Sequence, residues 1–151
     1  MDKEKRIWIA LFLALSLMLI LSGCSGLPTT AKLTISIDPN PVPCSSEDGI
    51  WRYAMTISES NGVGVTLTSI RFDSYDQEEQ LYYTQFLYEE DIIEWFGSNN
   101  IFAFSILQSW TWWTSASSSS SSRKYIAVTI EGVDDNNNPI EATGRINLLP
   151  H

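Results

Sequence analysis

Trp51-Arg52-Tyr53-Ala54-Met55-Thr56-Ile57-Ser58 alternates large apolar side chains with small or polar ones. Successive side chains of an extended strand point to opposite faces, so Trp51, Tyr53, Met55 and Ile57 fall on one face. That face is expected in the core, and Ser60-Asn61-Gly62 supplies the turn that ends the strand.

The same period runs outward in both directions. Upstream, Leu33, Ile35 and Ile37 alternate with Thr34 and Ser36 until Asp38-Pro39-Asn40-Pro41 breaks the run. Neither proline can donate to a ladder, so this strand ends there or kinks to an edge. Downstream, Val63, Val65 and Leu67 continue one face, and the apolar phase then switches to Ile70 and Phe72. A regular strand cannot change phase, which implies a bulge or bend near Thr68-Ser69.

Glu78 to Phe86 is a weaker strand candidate. Glu89-Glu90-Asp91-Ile92-Ile93-Glu94-Trp95-Phe96-Gly97 predicts one short helical turn near residues 89–96, with acids at the positive end of the dipole and a glycine where the helix stops. Phe102, Phe104 and Ile106 alternate again and predict another strand. Tyr125 to Val133 and Ile140 to Leu149 flank Asp134-Asp135-Asn136-Asn137-Asn138-Pro139, a hairpin with a long polar turn.

About seven strands at short spacing, with turn signals between them and little helix, predict an all-β, two-sheet sandwich. Asp38-Pro39-Asn40-Pro41-Val42, Trp51-Arg52-Tyr53 and Asn61-Gly62-Val63-Gly64-Val65-Thr66-Leu67 resemble the first strands of bacterial extracellular immunoglobulin-like domains, and the resemblance covers most of residues 32–149. It implies an immunoglobulin-like sandwich used as a spacer or binding module, a fold that prescribes no chemistry.

Lys3, Lys5 and Arg6 precede the apolar run Ile7 to Leu21, which has the make-up of a signal-peptide core and is too short to span a bilayer comfortably. At its end Leu21-Ser22-Gly23-Cys24 resembles the lipobox of bacterial lipoproteins at all four positions. The resemblance implies a signal peptide over 1–23, a lipidated tether over 24–31 that starts at an acylated Cys24, and a β domain over 32–150. Export follows, with anchoring to the bacterial cell membrane or outer membrane through two or three acyl chains. Ser25-Gly26-Leu27-Pro28-Thr29-Thr30-Ala31 is uncharged and reaches at most about 3.5 Å per residue, which keeps the domain close to the lipid.

The 151 residues carry a formal net charge of −9, and removing the leader's three cations and two acids leaves −10. Such a field repels nucleic acid and anionic head groups and serves solubility. The 128 residues after the leader suffice for one domain with a real core. Of two cysteines Cys24 is claimed by lipid, so Cys44 has no intrachain partner and no disulfide staples the fold. Cys44 has no activating base beside it in sequence and reads either as a small buried hydrophobe or as an exposed thiol.

The one histidine is His151, which excludes a Ser-His-Asp hydrolase and multi-histidine metal sites. Glu89, Glu90, Asp91 and Glu94 could crowd one helical turn, as an acid pair for glycoside cleavage would, yet they read better as a solvated helix start. Asp134 to Pro139 has oxygen donors at alternate positions, but Pro139 stands where an EF-hand needs glycine and Arg145 where it needs glutamate, so a plain turn is preferred. Neither a metal nor a cofactor is therefore expected. Trp110, Thr111, Trp112 and Trp113 precede a serine-rich run. On a strand Trp110 and Trp112 project together and Trp113 oppositely, which suits either core packing or a sugar-stacking platform. The expected function is thus a noncatalytic, lipid-anchored structural or protein-binding module of the envelope, with glycan binding through Trp110, Trp112 and Trp113 as the alternative.

Overall fold

A computed structural model describes residues 30–109, 112–115 and 123–149, with the backbone alone at 112–115. Among these described residues nine strands and one helix follow in the order β1 (Leu33–Asp38), β2 (Ile50–Glu59), β3 (Val65–Asp76), β4 (Leu81–Tyr88), α1 (Glu89–Phe96), β5 (Asn100–Ile101), β6 (Ile106–Gln108), β7 (Trp112–Ser115), β8 (Arg123–Asp134) and β9 (Pro139–Asn147). One sheet joins β1, β2 and β6, with β7 pairing further along the same β2; the other has the order β4-β3-β8-β9, with the short β5 also on β3. All these pairings are antiparallel. The chain visits the sheets alternately, β1 and β2, then β3 to β5, then β6 and β7, then β8 and β9, and this is the Greek-key order of an immunoglobulin-like sandwich. The expected all-β sandwich with one short helix over 89–96 is what the chain forms.

The alternation around Trp51 does what its period requires. Trp51, Tyr53, Met55 and Ile57 are all buried and face Ile70, Phe72, Ile126, Val128, Ile130 and Ile146 in one cluster. Trp51 keeps its indole N–H satisfied through a 2.8 Å bond to the Leu149 carbonyl. The phase switch in β3 is a register shift between Leu67 and Ser69, which lets Leu67 and Ile70 both point inward.

Proline ends β1 as expected. The Asp38–Pro39 and Asn40–Pro41 bonds are both cis, and the segment crosses to the other sheet, where Val42 bridges Leu148 beside β9. Asn40 accepts from Asn147 N–H and donates to the Arg145 carbonyl, which covers part of the outer edge of β9. In α1, Asp91 accepts the Tyr88 N–H at 3.1 Å, Ile92 and Phe96 are buried, and Gly97 ends the helix in the left-handed conformation at φ 78°. Residues 78–80 lie outside β4, whose start is delayed by three residues through a turn in which the Asp76 carboxylate accepts the Gln80 N–H. Phe102 and Phe104 depart furthest from expectation. They flank a turn rather than a strand, and only Ile106 is in β6.

Candidate functional site

β4 is a strand because Leu-Tyr-Tyr-Thr-Gln-Phe-Leu-Tyr is rich in aromatic residues, which favour extended backbone, yet it contributes only Leu87 to the core. Every other residue except the half-buried Thr84 is exposed, on both faces of the strand. It is also the terminal strand of its sheet, so one row of backbone N–H and C=O groups has no strand beside it among the described residues. Edge strands are ordinarily blunted by proline, lysine or shortness. β4 carries no proline or lysine over its eight residues.

The register aligns the outward side chains of four strands. Tyr88, Ser69, Glu131 and Glu141 form one cross-strand row, Phe86, Arg71, Thr129 and Thr143 the next, and Thr84, Asp73, Ala127 and Arg145 a third. Phe86 and Tyr88 lie parallel at 6.0 Å between ring centroids, and Tyr75 stacks on Tyr125 at 4.7 Å with the Arg145 guanidinium 3.6 Å over the Tyr125 ring. Asp73 joins the second and third rows, accepting the Thr84 hydroxyl at 2.7 Å and pairing with Arg71 at 3.0 Å. The face therefore combines exposed flat rings, at the β4 side, with fixed donors and acceptors beside them.

A second ordered feature lies at the end of the sandwich where the described chain begins. Glu59 accepts four backbone N–H groups, those of Lys32, Asn61, Gly62 and Phe104, at 2.7 to 3.2 Å. Asp134 accepts those of Ala31, Asn136 and Asn138. Burial pushes both carboxyl groups up, but the N–H donors outweigh it and hold each below its usual value. These two acids tie the chain start, the β2–β3 turn, the 102–105 turn and the β8–β9 hairpin together. Beside them a half-open depression of about 280 Å3 is lined by Gly64, Asn100, Phe102 and Asp135 among others.

The residues singled out in the sequence divide by location. Cys24 and Trp110 lie outside the described residues. Trp112 and Trp113 lie in β7, opposite Tyr53 and Arg52 of β2. Cys44 bridges Trp51 through its backbone and packs half-buried against the core, where burial first and Asp48 second push its thiol up. The Asp134 to Pro139 hairpin closes on the Asp134 carboxylate, whose lone pairs go to Asn136, Asn138 and Ala31. The Glu89 carboxylate accepts from the Asn99 side chain at 3.2 Å. Among the described residues no group of three or more His, Cys, Asp or Glu side chains is placed to hold a metal ion, and no helix is long and apolar enough to cross a membrane.

In the sequence the β4 segment reads only as a weaker strand candidate, and neither its edge nor Glu59 reads as a site. A run with two adjacent tyrosines breaks the apolar-polar alternation that marks a half-buried strand, and that break was the available signal for β4. For Glu59 the signal was an acid placed between a strand and Asn61-Gly62.

No family model matches the chain, and no curated protein matches it. Solved structures similar to it include a structural-genomics target at TM-score 0.45 and 14% identity, covering 81% of this chain and 89% of that one. A Bordetella pertussis protein described as ApaA is similar at TM-score 0.40 and 14% identity, over 78% of this chain and 94% of its own. The CARDB domain of a Pyrococcus furiosus protein is similar at TM-score 0.38 and 15% identity, over 79% and 95%. The immunoglobulin-like assignment rests on the strand order given above rather than on these likenesses.

Proposed function

We propose that this chain is a noncatalytic, exported, lipid-anchored envelope protein that binds a partner protein along the β4 edge. The observation that carries the reading is the exposure of six of the eight residues of Leu81–Tyr88, on both faces, at a sheet edge that no further strand covers among the described residues. An extended segment of a partner gains main-chain hydrogen bonds by adding beside such a strand, and side chains on the two faces supply selectivity. Anchoring rests on the Leu21-Ser22-Gly23-Cys24 match to a lipobox.

The test is co-purification after membrane solubilisation, wild type against Tyr83→Lys and Phe86→Lys. These positions are exposed, so the variants are expected to fold and to lose the partner. A reproducible partner held equally by both variants sinks the edge as its site, and no reproducible partner at all sinks the protein-binding reading. Incorporation of labelled fatty acid by the wild type and not by Cys24→Ser checks the anchor.

A second reading, glycan binding, is favoured by the parallel Phe86 and Tyr88 rings beside Arg71, Asp73 and Thr84, and by the cluster Trp110, Trp112 and Trp113. Cell-wall and plant glycans arrayed against Phe86→Ala/Tyr88→Ala and the triple Trp→Ala variant separate the two sites. Binding lost in one variant names the platform, and binding unchanged in both rejects this reading.

A further inference from the structure

Phe102 and Phe104 are 76% and 75% exposed, more than any other large apolar side chain among the described residues, and stand on one short turn. Water does not favour two phenyl rings at a loop tip, and an exposed apolar patch of this kind marks a contact surface. The turn is held stiffly. Ser105 donates through both its hydroxyl and its backbone N–H to the Phe102 carbonyl, and the Phe104 N–H is one of the four that Glu59 accepts. Phe104 sits at φ 55°, a conformation bulky residues rarely adopt. Its ring lies so close over Gly62 that a Cβ there would come within 2.6 Å of it.

The position of this turn indicates what meets it. Glu59 accepts the Lys32 N–H as well as the Phe104 N–H, and Asn61 donates to the Thr30 carbonyl. One carboxylate thus clamps the phenylalanine turn to the start of the domain. Six residue steps separate Thr30 from Cys24, and at about 3.5 Å each they reach at most about 21 Å. Glu59 and Asp134, the acids that hold this end, are 4% and 3% exposed and turn their oxygens to backbone N–H donors; one cation, Lys32, and one acid, Asp135, stand exposed beside them.

We infer that Phe102 and Phe104 form a lipid-facing tip that enters the head-group region of the membrane in which the chain is anchored. The inference rests on the lipoprotein reading of Cys24. Tethering keeps the tip within reach of the bilayer, and two rings at the interface restrict the orientation of the domain on it.

The experiment uses the full lipidated chain in membranes, with Phe102, Phe104 or Leu149 replaced in turn by the photocrosslinker p-benzoylphenylalanine. Leu149 is exposed and contacts Trp51, at the end of β2 opposite Glu59. Lipid adducts at positions 102 and 104 are expected to exceed those at 149 by at least tenfold. Equal yields at the three positions, or adducts to protein instead of lipid at 102 and 104, overturn the inference while leaving the anchor intact. Fatty-acid labelling of the same samples separates the two failures: a chain that takes up no label loses the anchor, and the inference falls with it.

Discussion

A carboxylate that accepts four backbone N–H groups is poorly replaced by its amide. In Glu59→Gln one oxygen becomes an NH2 that points at two N–H donors, and losing these bonds costs about 1–3 kcal/mol. Urea denaturation at pH 7 should show that loss, and an unchanged midpoint would mean that the turn holds without the acid. The pH dependence has a definite sign. Both Glu59 and Asp134 are held below their usual values, so their stabilisation is complete above the unfolded values of about 4.3 and 3.9. It is lost as pH falls through the lower folded values. The wild-type midpoint should drop below pH 4, and Glu59→Gln should lose part of that acid dependence; an identical acid slope in the variant rejects the assignment to Glu59. At the core, Ile57 is fully buried, and Ile57→Ala should cost about 2–5 kcal/mol. Cys44 is half-buried, and Cys44→Ser should cost less than Ile57→Ala in the same melts. The reverse order would place the core on the wrong residues.

Elements were legible where one face is buried and the other wet. β1, β2, β8 and β9 alternate because each turns one side to the other sheet; the inward apolar residues of β2, β8 and β9 are core residues, and those of β1 pack half-buried against the core. The β3 bulge was legible for the same reason, since Leu67 and Ile70 could not otherwise both be inside. Where an element does not use its apolar residues for the core, alternation misleads. Phe102 and Phe104 have strand spacing but line a turn, because the Glu59 carboxylate and the Ser105 hydroxyl supply the backbone partners a ladder would otherwise provide. β4 was half legible: its β-forming composition announces a strand, while its edge position is set by the register with β3, which no local pattern encodes. A consequence can be measured at this scale. An exposed, aromatic-rich edge strand that pairs with no further strand among the described residues is an association hazard, so the purified domain should self-associate with rising concentration, and Phe86→Lys should suppress it. Sedimentation that shows wild type and variant equally monomeric at high concentration would mean that something covers the edge.

The whole molecule depends on two backbone approaches that a Cβ would obstruct in different ways. Gly132 lies in β8 opposite the β3 bulge, and a Cβ there would stand 2.6 Å from the Thr66 carbonyl oxygen. That oxygen belongs to the backbone of the paired strand, so relief requires the bulge itself to move, and with it the register that puts Leu67 and Ile70 inside. Gly144 lies in β9, facing inward opposite Val128, and its Cβ would meet the Ile35 side chain of β1 at 3.0 to 3.4 Å. Here the obstacle is a side chain at the margin of the sandwich, where Ile35 is only partly buried and can give by a fraction of an ångström. Both substitutions to alanine also remove glycine's extra unfolded-state freedom, a gain of about 0.4–1 kcal/mol where the folded backbone tolerates the side chain. Overpacking opposes it with about 1–3 kcal/mol. The obstruction should dominate at Gly132 and nearly cancel the gain at Gly144. Gly132→Ala should therefore lower stability clearly and Gly144→Ala by little, whereas Gly144→Val, with two further methyl groups pressed on Ile35, should approach the cost of Gly132→Ala. Denaturant melts of the three variants check the order, and a Gly144→Ala variant less stable than Gly132→Ala would show that the two sheets, rather than the bulge inside one of them, meet at the tightest fit.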